Sequence, residues 1–159
     1  MIDAQIGHEK TLTGLLPALA GGNMIYGMGM LDMGMAMSYE QLLIDAEIVR
    51  MIRRVMQGIA VNDETLAAEV IKAVGPAGTY LSQKHTMRHM KRESSQAKLI
   101  ERRPYEAWEK SGGKDMFTRA NEEARRILEN HKPIPLADSV AREIRSIIRE
   151  AEEELQSSV

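Results

Sequence analysis

The first forty residues hold an apolar segment that limits how this chain can fold. No charged residue occurs from Thr11 to Leu31, and Pro17 and the pair Gly21-Gly22 interrupt this stretch. Seven of the 12 methionines and seven of the 12 glycines fall in residues 1–40. Apolar surface of this kind has to be removed from water. The fold therefore depends on what covers this segment.

The uncharged stretch is long enough to cross a bilayer, which takes about 20 apolar residues. A lone span would leave backbone groups near Gly21-Gly22 unpaired in lipid. A buried helix followed by a buried strand satisfies the backbone better, so we expect no membrane contact. Residues 1–10 resemble no signal peptide and the chain has no cysteine, which is typical of a cytoplasmic protein.

The spacing of apolar residues predicts a mostly helical chain with one strand. Asn23–Tyr26, bounded by glycines, is predicted to be a fully buried strand, and Gly27–Met37 a loop or irregular helix. A strand needs hydrogen-bonding partners, so a single strand points to others outside this chain. The predicted helices are Glu9–Ala20, one that begins after Ser38 with a capping-box pattern to Gln41, one between Asn62 and Val74, His85–Lys91, Tyr105–Lys110, Asp115–Asn130 and Asp138–Leu155.

Composition and motifs exclude several classes of function. Hydrophobic residues make up 43% and charged residues 28%, as in globular proteins. A net charge of −2 argues against nucleic-acid binding, and the lack of cysteine removes thiolate metal ligands and cysteine nucleophiles. Gly27-x-Gly29 has no third glycine or following acidic partner, so dinucleotide binding is unsupported.

Several short segments, in order, resemble the trimethylamine methyltransferase family. Asp3 to Lys10 is similar to the family's D-A-Q-x-G-x-E-K stretch, and Gly22 to Leu31 to its buried strand and glycine turn. The other matching segments are Ser38-Tyr39-Glu40, Val74-Gly75-Pro76, His85-Thr86 with His89, and Arg103-Pro104-Tyr105-Glu106-Ala107-Trp108. The ordered set, rather than any one segment, carries the resemblance.

The resemblance implies a (β/α)₈ barrel followed by a helical extension. Such a barrel takes about 200 residues or more, so a chain of 159 residues would hold only its last one or two strands. Residues 1–37 would then be the end of the barrel. Residues 38–159 would be the helical C-terminal region, with a linker near 131–137.

The same resemblance implies a reaction and its partners. Family members transfer a methyl group from a methylated amine, trimethylamine or a quaternary amine, to the Co(I) corrinoid of a separate carrier protein. This chain would bind no cofactor itself and would be inactive alone. Its partners would be the amine, the carrier protein, and an N-terminal methyltransferase piece or further copies of itself. The alternative is a helical interaction module without catalytic activity.

Two sets of residues are candidates for binding. Asp3, Gln5 and Tyr26 would lie near strand ends, where barrel enzymes place their chemistry. A carboxylate, an amide and a cation–π face suit a cationic amine, although Asp3 could instead cap a helix. Lys84–Arg103 carries a net charge of +5, and its residues Lys84, Arg88, Lys91 and Arg92 could dock an acidic carrier protein or form a solvated helix face.

No metal site is predicted from the sequence. His85 and His89 lie one helical turn apart and can face one ligand, but a third protein ligand is not evident. Packing or hydrogen bonding is the more ordinary role for such a pair.

Overall fold

The computed structural model describes residues 2–157, which are mostly helical, as the sequence predicts. Strands β1 (Met30–Leu31) and β2 (Ala36–Met37) form an antiparallel hairpin around a 3-10 turn at Asp32–Gly34. Within the described residues this hairpin is the only sheet, and the barrel strands stay a prediction. The helices are α1 (Ala4–Leu19), α2 (Tyr39–Met56), α3 (Asp63–Leu66), α4 (Ala68–Val74), α5 (Lys84–Glu93), α6 (Tyr105–Lys110), α7 (Met116–Asn130) and α8 (Asp138–Ser157).

Helix α1 begins five residues before the predicted start at Glu9. The carboxylate of Asp3 accepts hydrogen bonds from the backbone N–H groups of Gln5 (3.0 Å) and Ile6 (3.4 Å), so Asp3 is the N-cap. The regular spacing of apolar residues begins only after the first turns of the helix. A prediction based on that spacing therefore places the helix start too late. Pro17 is accommodated in the last turn, and the chain leaves the helix at Gly21 with a φ of 90°.

The predicted strand at Asn23–Tyr26 is wrong for this chain. The segment forms no strand, and Met24 and Tyr26 are about four-fifths exposed (81% and 79%). An apolar run becomes a buried strand only when neighbouring strands take its backbone hydrogen bonds. The hairpin lies further along, in the segment predicted to be loop or irregular helix, with Met30 opposite Met37.

Helix α2 begins as predicted, but only part of its predicted apolar face is buried. The Ser38 hydroxyl accepts from the N–H of Gln41, while the Gln41 side chain turns to Asp45 instead of completing a capping box. At the end of the predicted apolar face Val55 and Met56 are about half-exposed and Ile59 is 90% exposed. The sequence predicts that face from the 3.6-residue period of Leu42, Leu43, Ala46, Val49, Ile52, Val55, Met56 and Ile59. The buried residues of α2 are Gln41, Ile44, Asp45, Glu47 and Ile52.

The following helices agree with their sequence signals. Asn62 and Thr65 form a reciprocal capping box at the start of α3. Ala67, with a φ of 51°, breaks the predicted continuous helix into α3 and α4. The range predicted for α6 matches, while α5 and α7 differ from prediction by one or two residues at an end.

The chain divides into two compact units, Met1–Arg126 and Ile127–Val159. Residues 131–137, predicted to be a linker, contain no helix or strand. The second unit consists of the end of α7, this segment and α8. The division expected between residues 37 and 38 stays a prediction.

The apolar core of the first unit is small. Ile44 of α2, Leu99 and Ala120 of α7 form its centre, and the partly buried residues Ile2, Leu43, Ile48 and Met116 pack around it. The buried carboxylate of Glu47 accepts hydrogen bonds from the N–H groups of Lys98 (2.8 Å) and Leu99 (3.0 Å). Glu47 therefore holds the segment at Lys98 and Leu99, which precedes α6, against α2 by hydrogen bonds.

A second buried carboxylate, Asp45, connects α1, α2 and the glycine turn. Its Oδ2 lies 2.9 Å from Lys10 Nζ and accepts from the N–H of Gly29 at 2.8 Å. Its Oδ1 accepts from the Gln41 amide at 2.6 Å. Lys10 also donates to the carbonyl of Gly27 at 2.9 Å, so the turn at residues 27–29 is held from both sides.

Substituting Asp45 with Asn should destabilise the chain by about 2 to 4 kcal/mol, because Lys10 and the Gly29 N–H would lose a charged partner in a region sheltered from water. The partial exposure of Lys10 keeps the effect below that of a fully buried pair. Urea unfolding followed by circular dichroism measures the change. The exposed Asp63→Asn serves as the matched control, and equal losses in both variants would contradict the role assigned to Asp45.

Enlarging Ala120 to Leu should cost about 1 to 3 kcal/mol, because this side chain is fully buried against Ile44 and Leu99 and added methyl groups overpack the core. Ala73→Leu, on the exposed face of α4, should change the free energy of unfolding by about 0.5 kcal/mol or less. Unfolding midpoints of both variants give the comparison. A neutral Ala120→Leu would mean that α7 does not pack on α2 as described.

Candidate functional site

A small cavity lies between α1, residues 24–28 and α2. Its volume is about 200 Å³, less than the roughly 300 Å³ at which pockets for drug-sized ligands begin. It therefore has room for a small molecule only. The walls are mostly apolar and are formed by Lys10, Thr13, Gly14, Pro17, Met24, Ile25, Tyr26, Gly27, Met28, Asp45, Ile48, Val49 and Ile52.

The charges at the cavity wall neutralise one another. Asp45 and Lys10 form the ion pair described above, and the remaining donors of that cluster are backbone or amide groups. The cavity therefore offers no uncompensated charge from this pair. Thr13 and Tyr26 add uncharged polar groups, and the ring of Tyr26 supplies an electron-rich face of the kind that attracts organic cations.

The structure separates the three residues predicted to bind an amine. Tyr26 lines the cavity, whereas Asp3 and Gln5 are exposed at the start of α1 and lie outside its lining. Asp3 caps the helix, and the Gln5 amide donates to Glu9 at 2.8 Å. Asp3 and Gln5 therefore have structural partners within this chain, and of the three residues only Tyr26 borders this cavity.

Acidic residues partly neutralise the basic segment on α5. Arg88 pairs with Glu64 at 2.6 Å, and Arg92 pairs with Glu93 at 3.0 Å. The hydrogen bond from Arg88 is the main cause of the lowered pKa of Glu64, and that from Arg92 the main cause of the lowered pKa of Glu93. Both carboxylates are thus ionised at neutral pH. Lys84 and Lys91 are exposed on the same helix.

The two histidines of α5 stack on each other and contact Glu64. Their ring centroids are 4.2 Å apart, and the Nε2 atoms of His85 and His89 lie 2.7 Å from the backbone oxygen and 3.3 Å from a carboxylate oxygen of Glu64. Arg92 lies 3.2 Å from the other ring nitrogen of His89. In residues 2–157 no three His, Asp or Glu side chains form a group that could hold a metal ion.

Buried polar residues on α2 are the feature that the sequence did not reveal. Gln41, Asp45 and Glu47 are almost fully buried, yet periodicity assigns burial only to apolar residues. The spacing of Gln41 and Asp45, one turn apart next to Ile44, was the available signal. Among the described atoms, Gln41 Oε1 and Glu47 Oε2 have no hydrogen-bond partner.

Crossing a bilayer requires a helix of residues 2–157 that is both long and apolar. None of the helices in this range combines the length and the apolarity of a membrane span. The uncharged stretch is divided between α1, an irregular segment and β1, which accounts for this result.

Comparison with known proteins gives a consistent result. Residues 1–156 match the family described as trimethylamine methyltransferase (MTTB). The chain is 53% identical over 152 residues to trimethylamine methyltransferase MttB of Desulfitobacterium hafniense and 46% identical over 150 residues to MttB2 of Methanosarcina mazei. These matches cover 96% and 94% of the chain.

A relative with a different name is more distant. The glycine betaine methyltransferase of Desulfitobacterium hafniense is 34% identical over 155 residues, which is 97% of the chain and 32% of that protein. The chain spans about 30% of the length of the trimethylamine methyltransferases it matches. Because the family match extends over residues 1–156, the chain belongs to the trimethylamine methyltransferase family.

Proposed function

We propose that this chain is the C-terminal part of a methyltransferase that moves a methyl group from a methylated amine to the Co(I) corrinoid of a carrier protein. The amine would be trimethylamine or a quaternary amine. The chain would be inactive alone and would act together with the remainder of such an enzyme. The observation that carries this proposal is a family match along residues 1–156 by a chain that spans about 30% of its relatives.

The exposure of apolar residues in the N-terminal region supports this proposal. Met24, Tyr26 and Met33 are about four-fifths exposed or more, although the surrounding sequence is nearly free of charge. Soluble chains seldom leave a contiguous apolar patch uncovered. The remainder of a methyltransferase would cover this region, and strands there would give Asn23–Tyr26 the backbone partners that this chain lacks.

Within the proposed enzyme, Tyr26 is the residue best suited to contact the amine. Its ring borders the cavity beside the Lys10–Asp45 pair, and a methylated ammonium group favours an aromatic face. The roles suggested for Asp3 and Gln5 depend on strands outside this chain. Oδ1 of Asp3 is used in capping α1, which leaves its second oxygen for an amine.

The carrier protein would supply the corrinoid, so this chain needs no ligand for cobalt. When bound to its carrier, the corrinoid supplies the cobalt nucleophile that accepts the methyl group. A cavity of about 200 Å³ suits a small amine and is too small for a macrocycle. The chain's own contribution would be to bind and orient the amine.

Docking of an acidic carrier protein would fall to Lys84, Arg88, Lys91 and Arg92 on α5. Glu64 and Glu93 already engage Arg88 and Arg92, so most of the long-range attraction would come from Lys84 and Lys91. Such surface charges act mainly on the rate of association and weaken in salt.

The second candidate is a helical interaction module without catalytic activity. The exposed apolar residues along α8, among them Ile147 and Leu155, favour binding to another polypeptide. A chain that supports methyl transfer in a chimera would exclude a purely non-catalytic module. Recovery of unrelated partners by an inactive chain would favour it.

Replacing the corresponding segment of Desulfitobacterium hafniense MttB with this chain should give an enzyme that methylates the carrier-bound corrinoid, whereas the isolated chain should give no turnover. The two segments are 53% identical, so the graft preserves most packing positions. Corrinoid absorbance reports the reaction with trimethylamine and, in parallel, with glycine betaine. Turnover by the isolated chain, or a folded chimera inactive with both amines, would contradict the proposal.

In the same chimera, Tyr26→Leu should raise KM for the amine by about 2- to 30-fold, which corresponds to loss of a cation–π contact of about 0.5 to 2 kcal/mol. Tyr26→Phe keeps the aromatic face and should stay close to the parent. Tyr39→Leu, at an exposed tyrosine outside the cavity lining, is the matched control. An unchanged KM in Tyr26→Leu would remove Tyr26 from the amine site.

A further inference from the structure

Helix α8 displays an apolar stripe on its surface. We define the α8 stripe as Val140, Ala141, Ile144, Ile147, Ile148, Ala151 and Leu155. Its large members are exposed, from 42% for Ile144 to 70% for Leu155. The opposite side of the helix carries charged residues. A helix with this division normally places its apolar side against another surface.

The spacing of the stripe suits packing against another helix. Ala141, Ile144, Ile148, Ala151 and Leu155 follow one another at intervals of three, four, three and four residues. These are the a and d positions of two heptads, the pattern by which two helices pack side by side. Val140 and Ile147, at g positions, widen the stripe.

The flanking charges select the orientation of the second helix. Arg145 and Glu152 both occupy e positions. In an antiparallel pair e positions face e positions, so two copies of α8 place Arg145 of each opposite Glu152 of the other. In a parallel pair Arg145 would instead face Val140 and Glu152 would face Ile147 at g positions, while the third g residue is Glu154. Charges at these positions are known to determine partner and orientation.

We propose that the α8 stripe binds α8 of a second copy of this chain in an antiparallel pair. In the register that forms the two Arg145–Glu152 contacts, Ile144 packs against Leu155 of the second copy and Ile148 against Ala151. The pair nearest the centre, Ile148 and Ala151, thus joins a large side chain to a small one. A shift by one heptad would bring Arg145 against Arg145 of the second copy, which disfavours that alternative.

The association should be weak, because the contact is short. Two helices of 20 residues that share two heptads bury less than the roughly 1,600 Å² of a standard interface. Dimers are therefore expected to form as chain concentration rises and to dissociate on dilution. Salt should weaken them further by screening the e-position pairs.

Sedimentation equilibrium of the full chain over a range of concentrations tests this pairing. Glu152→Arg should raise the dissociation constant at least about fivefold, because it replaces two attractive pairs with two repulsive ones. The double variant Arg145→Glu/Glu152→Arg restores complementary pairs and should recover most of the affinity. Glu153→Arg is the matched control, since it makes the same charge change at an f position, away from the stripe.

Far-UV circular dichroism of each variant shows whether α8 still forms. A parent chain that stays monomeric at every concentration would overturn the proposal, and so would equal weakening by Glu152→Arg and Glu153→Arg. Failure of the double variant to recover would overturn the antiparallel arrangement. A stripe that pairs only when the remaining part of a family methyltransferase is added would show that the second copy is the wrong partner.

Discussion

The buried carboxylate of Asp45 determines how the N-terminal part of this chain is arranged. It lies on α2, yet its partners come from three places: the Lys10 side chain of α1, the Gly29 N–H of the glycine turn and the Gln41 amide. A buried charge is tolerated only when it is paired and hydrogen-bonded. Because Asp45 contacts all three partners, this one residue fixes the positions of α1, the glycine turn and the cavity wall beside Tyr26 relative to α2.

Glu47 holds a second chain segment in place, on the other side of α2. Its carboxylate receives the N–H groups of Lys98 and Leu99, which brings Leu99 onto Ile44 and Ala120. Two acidic residues, half a turn apart along one helix, therefore organise segments that a larger apolar core would hold in other proteins. Such networks specify position well, but one unpaired atom in them is costly. Among the described atoms Glu47 Oε2 has no hydrogen-bond partner, so this oxygen can accept a further hydrogen bond.

The sequence predicted the elements whose signals are local. Ser38 caps α2, and Asn62 caps α3, so the helices predicted to follow these two residues begin where the sequence places them. It failed where the outcome depends on distant groups. A strand at Asn23–Tyr26 needs strands elsewhere, and the burial of Gln41, Asp45 and Glu47 is decided by Lys10, Gly29, Lys98 and Leu99. Of the cavity lining, Tyr26 is singled out only through the resemblance to a barrel family, whereas the Lys10–Asp45 pair joins residues 35 apart in the chain and has no sequence signature.

The two exposed apolar regions require different kinds of cover. Around Met24 and Tyr26 the backbone is irregular and the side chains follow no repeat. Close packing of such side chains requires a surface of complementary shape, which the rest of a larger domain could provide. Along α8 the apolar residues keep a 3.5-residue repeat with charges at the e positions, and a second helix satisfies that pattern without any further element. Pairing of α8 and cover for the region around Met24 and Tyr26 are therefore separate requirements.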